Sequence, residues 1–350
     1  MKKRVFEMKS LLLLMLPLCM VSFSLSAQEA MKEFTEAYDV SKGVTLSSDT
    51  KYSDIELLTW EKNVVDIRAE VRVKADSKGR AEEKLSMIHV GIGKSGNTIN
   101  LETELDEGWS KNAKVDIHIV VNAPAYLNLT VESAYGDLFI QELSGLLLLD
   151  LRYGNLKAGK LSRGDEKPYN KMDLSYSNGT VESAGCMELT LAYSDLEITR
   201  SDMLFVESKY SKLLGETAGG IITEGSYDKY TFDAVDSFEG ELKYSGVKFE
   251  SLNRKLNVES KYTPINIHHL SKDFKEVNMT TSYGNVSIEV EGGASFKIEG
   301  EAKYGTISVA LDGKLSRQKE NTSMTISGTV GSSPKGSMVL EARYGNIDIK

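Results

Sequence analysis

Tyrosine recurs at positions 135, 153, 176, 193, 210, 227, 244, 262, 283, 304 and 344, at spacings of 18, 23, 17, 17, 17, 17, 18, 21, 21 and 40 residues. Repeats near 20 residues mark a solenoid, in which each short unit buries its apolar face only by stacking on its neighbours. Helical solenoid units need more than about 30 residues. The pattern inside each unit here alternates with period two, so the repeating element is a strand. Each unit reads apolar-x-small-x-Tyr, then Gly or Ser, then usually Asn or Asp, then apolar-x-apolar.

In LNVESKYTPINI, Leu256, Val258, Ser260 and Tyr262 share one strand face, and Ile265 and Ile267 resume the alternation with shifted parity. The two residues between Tyr262 and Ile265 therefore form a corner. Glycines after the tyrosine (Gly136, Gly154, Gly284, Gly305, Gly345) and Asn or Asp two residues after it (Asp137, Asn155, Asn178, Asp195, Asn285, Asn346) are expected to carry a positive φ there. One coil is then a strand, a tight corner, a second strand and a return loop. Stacked coils predict an all-β fold: a single-chain parallel β-helix, or β-solenoid, of coils of about 17–21 residues. The rod is on the order of 50 Å long, with a right-handed path preferred. Tyr210 has the parity of Val206 and Ser208, so the structural ladder of Tyr176, Tyr193, Tyr210, Tyr227, Tyr244 and Tyr262 is expected to point inward or lie over the corner as an internal stack. The last ten residues, EARYGNIDIK, repeat the motif once more and predict a final coil at the end of the stack, with an edge to be covered.

Residues 1–27 read as an export signal: Lys2, Lys3, Arg4 and Lys9, an apolar run from Leu11 to Val21, and small Ser26 and Ala27 at a cleavage point. Pro17 and Leu18 stand where a lipid-attachment motif wants small residues, which argues against a lipid anchor at Cys19. The apolar run is too short to span a bilayer, and no transmembrane segment is expected elsewhere. Without residues 1–27 the chain has 38 basic and 50 acidic groups, a net charge of −12. That surface disfavours nucleic acid as a partner. Cys186 is then the only cysteine, so no internal disulfide is expected, and a buried inert thiol is the reading. Residues 28–130 read as an irregular β-rich cap, with a short helix near 78–88 where Ala81, Leu85 and Ile88 fall at helical spacing and plug the open end. Residues 131–350 read as the repetitive solenoid.

KYSDIELLTWEKNVVDI, AYGDLFI and SYGNVSI, behind an LSAQ-type leader, resemble a family of bacterial adhesin-like proteins common in Bacteroidetes. The resemblance covers nearly the whole chain after the leader. It implies an exported or envelope β-helix and brings no catalytic residues with it.

No motif for chemistry survives its context. Gly93-Lys94-Ser95 resembles the end of a phosphate loop, but Ile88 stands where its first glycine belongs and a strand follows, so a hairpin turn around Lys94–Asn97 is expected. His268 and His269 are adjacent and face opposite sides of a strand, and His89 and His118 are remote from them. No metal or cofactor is expected. Two outward columns remain. Three residues before the tyrosine the chain is acidic (Glu207, Glu241, Glu259, Glu301), and one residue before it basic (Lys209, Lys243, Lys261, Lys303). Opposite columns side by side are able to cross-pair. They make either a solvated face or a charged docking face for a glycan or an envelope or surface protein. The leading function is a non-enzymatic adhesin-like protein of the periplasm, outer-membrane surface or exterior. The alternatives are a carbohydrate-active β-helix enzyme, which fold analogy alone suggests, and a structural periplasmic scaffold.

Overall fold

The computed structural model describes residues 28–107, 109 and 113–350; the leader and Cys19 lie outside the described residues. Twenty-six strands join in one sheet, with one helix among the described residues. The architecture is all-β and β-solenoid-like. Its regular centre is five long strands, Asn178–Ala192, Asp195–Lys209, Lys212–Ser226, Lys229–Lys243 and Gly246–Lys261, each paired in parallel with the next. The tyrosine spacing sets the register, so like stacks on like: Leu204 lies opposite Ile221, Ile221 opposite Phe238, and Phe238 opposite Leu256. All four are buried, and each fully buried side chain of this size stabilises by about 1.5–3 kcal/mol. Inward residues of successive coils merge into one core along the array.

The corner conformation differs from the sequence expectation. Positive φ belongs to the tyrosine itself, at +52° to +63° in all twelve corner tyrosines from Tyr52 to Tyr344, and not to the residues after it. A left-handed residue swings its side chain out of the strand alternation, so the parity of Val206 and Ser208 does not carry through Tyr210. The rings are 42–58% exposed, which corrects the inward orientation expected for them. Glycine after the tyrosine serves close approach instead: at Gly154 a Cβ would run into the carbonyl of Gly136 in the coil below.

Rungs precede residue 131. Strands Thr45–Lys51 and Ser53–Thr59, flanking Tyr52, stack in parallel on Asn128–Ala134 and Leu138–Leu143. Thr98–Leu105 and Lys114–Ala123 stack on their other side. Lys114–Ala123 then pairs antiparallel with Val64–Ala75, which pairs antiparallel with Gln28–Asp39. The switch to antiparallel pairing ends the stack. The helix, Lys78–Ser86, packs against these last strands through buried Ala81, and the Ser77 side chain caps it by accepting from the Arg80 N–H. Ile88–Ser95 and Thr98–Leu105 form a hairpin through Gly96 and Asn97, so the Gly-Lys-Ser sequence lies on a strand entering a turn.

The other end corrects a second expectation. The closing motif is not the end of the stack. Strands Gly336–Arg343 and Asn346–Ile349 wedge between the coil of Glu276–Ser282 and the coil of Phe296–Lys303, pairing in parallel with both sides. The outermost rung therefore carries Tyr304. Ser323–Val330 closes it by antiparallel pairing, and Gly313–Glu320 follows as the edge. That edge presents Lys314, Arg317, Lys319 and Glu320, charges that blunt pairing with another chain.

Candidate functional site

Three ladders run along the corner. The tyrosine rings stack in the order 52, 135, 153, 176, 193, 210, 227, 244, 262, 283, 344, 304, with centroids 4.7–5.1 Å apart and planes within 15°. Neighbouring strands lie about 4.7–4.9 Å apart and aromatic pairs favour about 4.5–7 Å, so the sheet pitch itself delivers the rings in stacking contact. Beneath them, where a serine or threonine follows the tyrosine in the regular centre, its side chain satisfies the backbone of the rung below. Ser194 Oγ accepts from the Ser177 N–H at 3.1 Å, Ser211 Oγ from the Ser194 N–H at 3.2 Å, and Thr263 Oγ1 from the Ser245 N–H at 3.2 Å. Outside them, Asp54 Oδ1 accepts from the Asp137 N–H and Asp137 Oδ1 from the Asn155 N–H, both at 2.8 Å.

One rung departs from this scheme. Asp228 replaces the serine and accepts from the Ser211 N–H at 2.8 Å and from Ser208 Oγ at 3.0 Å. Tyr230 replaces an inward aliphatic; its hydroxyl lies 2.6 Å from Ser208 Oγ and 3.0 Å from Thr223 Oγ1. Gly225 makes the room, since a Cβ there would strike the Tyr230 hydroxyl. Burial raises the Asp228 carboxyl above its usual range against these hydrogen bonds, and pushes the Tyr230 phenol up to about 12. The cluster is sealed inside the coils, with Asp228 and Tyr230 both buried.

The predicted columns stand on the strand that runs into each corner. Glu207, Glu241 and Glu259 lie in one register line through Glu224, and Lys209 and Lys243 in another through Ser226, with Lys261 beside Lys243. The columns do not cross-pair between coils. Among the described residues, the eight flagged side chains form one ion pair, Lys303 to Glu301 at 2.9 Å within a single strand. The reason is geometric: residues two apart on one strand point the same way, while the next rung repeats the same sign beside them. Lys209 instead sits over the Tyr210 ring, 5.6 Å from its centroid.

Beside Glu207 this face is concave. Two adjoining hollows, of about 510 and 370 Å³, share Thr190, Glu207 and Glu224. The first is walled by Tyr169 and Phe205, whose rings stack 5.4 Å apart and 10° from parallel. Next to Phe205 in register stands Ile222, 39% exposed. Sequence reasoning passed over Tyr169, Phe205 and Ile222. Two signals mark them: the 23-residue spacing between Tyr153 and Tyr176, which leaves an insertion before Tyr169, and two neighbouring apolar residues at outward parity. Glu241 and Lys243 line the second hollow; Glu259, Lys261, Glu301 and Lys303 lie beyond it.

Chemistry-bearing groups elsewhere stay apart. His89 meets Asp106 at 2.9 Å and His269 meets Glu291 at 3.7 Å, and among the described residues no three His, Cys, Asp or Glu side chains converge as metal ligands. Cys186 is buried, and burial, then Asp202 and Asp165, raises its thiol pKa. No described helix is long and apolar enough to cross a membrane.

No curated protein matches the chain. Three solved bacterial structures with putative adhesion-related names are similar to it. A cell adhesion protein from Clostridium sporogenes shares 9% identity over 92% of this chain and 99% of its own, with a TM-score of 0.19. An adhesin from Parabacteroides distasonis shares 9% over 91% and 97%, with a TM-score of 0.32. An adhesin from Bacteroides fragilis shares 12% over 91% and 97%, with a TM-score of 0.26. A family profile matches residues 52–350, beginning at the first corner tyrosine, and the chain belongs to the Toastrack DUF4097 family.

Proposed function

We propose that this chain is a non-enzymatic, exported, adhesin-like envelope or surface protein, released from a leader at 1–27, whose single-chain parallel β-helix presents a long outer face for binding. One observation carries the reading: the charged columns run past a concave surface, so Glu207, Lys209, Glu241 and Lys243 line a recess and not a flat, fully solvated wall. Solenoids offer extended surfaces of this kind. Its lining is a mixed set of single acids and bases at strand pitch, which suits recognition of a surface polymer or protein better than general acid and base work on one bond.

The test replaces Lys209, Lys243 and Lys261 together by glutamine and measures binding of the purified protein to intact bacterial envelopes. Binding is expected to disappear while melting stays nearly unchanged, since exposed charges contribute roughly 0–1 kcal/mol each. Full retention of binding by the triple variant would remove the columns from the binding face. Absence of binding by the unaltered protein would leave a scaffold.

A further inference from the structure

The corner ladder looks at first like a sugar platform, because its rings are exposed. Its faces are not available. Each interior ring is covered on both sides by its neighbours, and only Tyr52 and Tyr304 have a single ring partner. What the ladder shows to solvent is edges and hydroxyls. A ligand that stacks on apolar surface must go elsewhere.

The recess beside Phe205 has that surface. Tyr169 and Phe205 form one thick aromatic wall, and Ile222 extends it onto the next rung. The recess crosses five parallel strands from Asn170–Ser175 to the end of Lys229–Lys243, about 20 Å at the usual strand pitch. Its volume lies within the range of about 300–1,000 Å³ found for small-ligand sites. The shape is therefore that of a trench for a short extended polymer lying along the array.

Charge selects among polymers. The two hollows are lined by four lysines and four glutamates, so the trench is neutral on a strongly acidic protein. Among the described residues, one of these eight side chains is in an ion pair, Lys171 with Asp173 at 3.2 Å. Lys209 lies over the Tyr210 ring and Lys167 over the Tyr169 ring, 5.3 Å from its centroid, each amine still able to donate; Lys243 and the carboxylates are left as donor and acceptors. A polyanion would meet the carboxylates and a polycation the amines. A chain of hydroxyl groups uses both, and its C–H faces suit the apolar wall.

We infer that this trench binds a neutral oligosaccharide, held against Phe205, Tyr169 and Ile222 and hydrogen-bonded by the lysines and glutamates around Glu207 and Glu224. The inference rests on the binding-face reading above and gives it a ligand class. The experiment is calorimetric titration of the purified protein with short oligomers of neutral hexose and N-acetylhexosamine, beside a uronic-acid oligomer and a free-amine hexosamine oligomer. A neutral oligomer is expected to bind at least about tenfold more tightly than either charged one, with less than about twofold change between about 50 and about 500 mM salt. Phe205→Ala and Tyr169→Ala are each expected to weaken it by about tenfold or more, the scale of a central aromatic anchor. Glu224→Gln, an exposed change that leaves packing intact, is expected to weaken it too. Binding by Phe205→Ala and Tyr169→Ala equal to the unaltered protein would overturn the site. If only the charged oligomers bind, with loss in salt and on removal of Lys209 and Lys243, the neutral-sugar inference fails and the charged face stands. If neither oligomers nor envelopes bind, both fall.

Discussion

A left-handed L-residue costs about 1–2 kcal/mol, and twelve tyrosines of this chain adopt that conformation. Eleven ring contacts join them, each worth about 0.5–1.5 kcal/mol beyond area burial, so stacking offsets the corner strain rung by rung. Tyr210→Ala removes two contacts and keeps the strain; by the same increments it should destabilise by about 1–3 kcal/mol. Tyr210→Gly removes the same contacts but relieves the strain, so it should be the milder of the two in denaturant unfolding. An inward-facing tyrosine would show the reverse order, because glycine would add backbone entropy to the lost packing. Tyr304→Ala, with one ring neighbour, should cost about half as much as Tyr210→Ala. Asp228 supplies a prediction in pH. Its folded pKa lies above the usual 3.8 because the carboxyl is buried. The folded state therefore holds its proton longer than the unfolded chain, and the stability present below 3.8 is lost as pH rises through the folded value. Asp228→Asn keeps one oxygen to accept from the Ser211 N–H and cannot ionise, so its stability relative to the unaltered protein should increase with pH from about 4 upward. Parallel stability profiles for the two proteins would show that the carboxyl is not held protonated.

At the scale of elements, the strands and the solenoid-like stacking were legible because the code is local: alternation forces one face inward, and the 17-residue spacing sets the offset between Leu204 and Ile221. The corner was legible as a corner but not in its conformation. Gly and Asn near the tyrosine suggested where left-handed backbone should fall, yet neighbouring-rung stacking makes the tyrosine the residue that bears it, and a contact between rungs leaves no mark within one rung. The order of coils was hidden for a related reason. EAKYGTISV and EARYGNIDI are nearly the same unit, and either edge can pair with the coil of Glu276–Ser282. Their sequence specifies a rung without specifying its place. The hairpin of Gly313–Glu320 and Ser323–Val330 covers the Tyr304 rung and leaves the last segment to enter between two coils. Of the candidate face, the charged columns were legible from parity alone. The trench was not, because Tyr169 reaches Phe205 across the intervening Met187–Ala192 stretch of the next coil.

The molecule as a whole is a stack whose rungs interact with their nearest neighbours, and such arrays tolerate loss of a complete unit far better than loss of part of one. Deleting residues 228–244 tests this on the regular centre. The cut removes 17 residues and joins Tyr227 to Ser245, which preserves the Tyr-Ser corner. Phe249, the register partner of Phe232, would then stand over Gly215, where Phe232 now fills the space left by the missing side chain. The Asp228 and Tyr230 cluster leaves as a unit, so no buried carboxyl is stranded. The shortened protein should keep a β-type circular dichroism spectrum and cooperative melting, at a temperature reduced by the loss of one coil. Deleting residues 228–236 instead removes the first part of the coil and leaves a rung that cannot reach its neighbours in register, because strand partners one position out turn their apolar side chains to solvent. That variant should fail to melt cooperatively. If the whole-coil deletion unfolds as completely as the partial one, the central coils do not behave as interchangeable nearest-neighbour units, and stability must instead depend on contacts reaching beyond adjacent rungs.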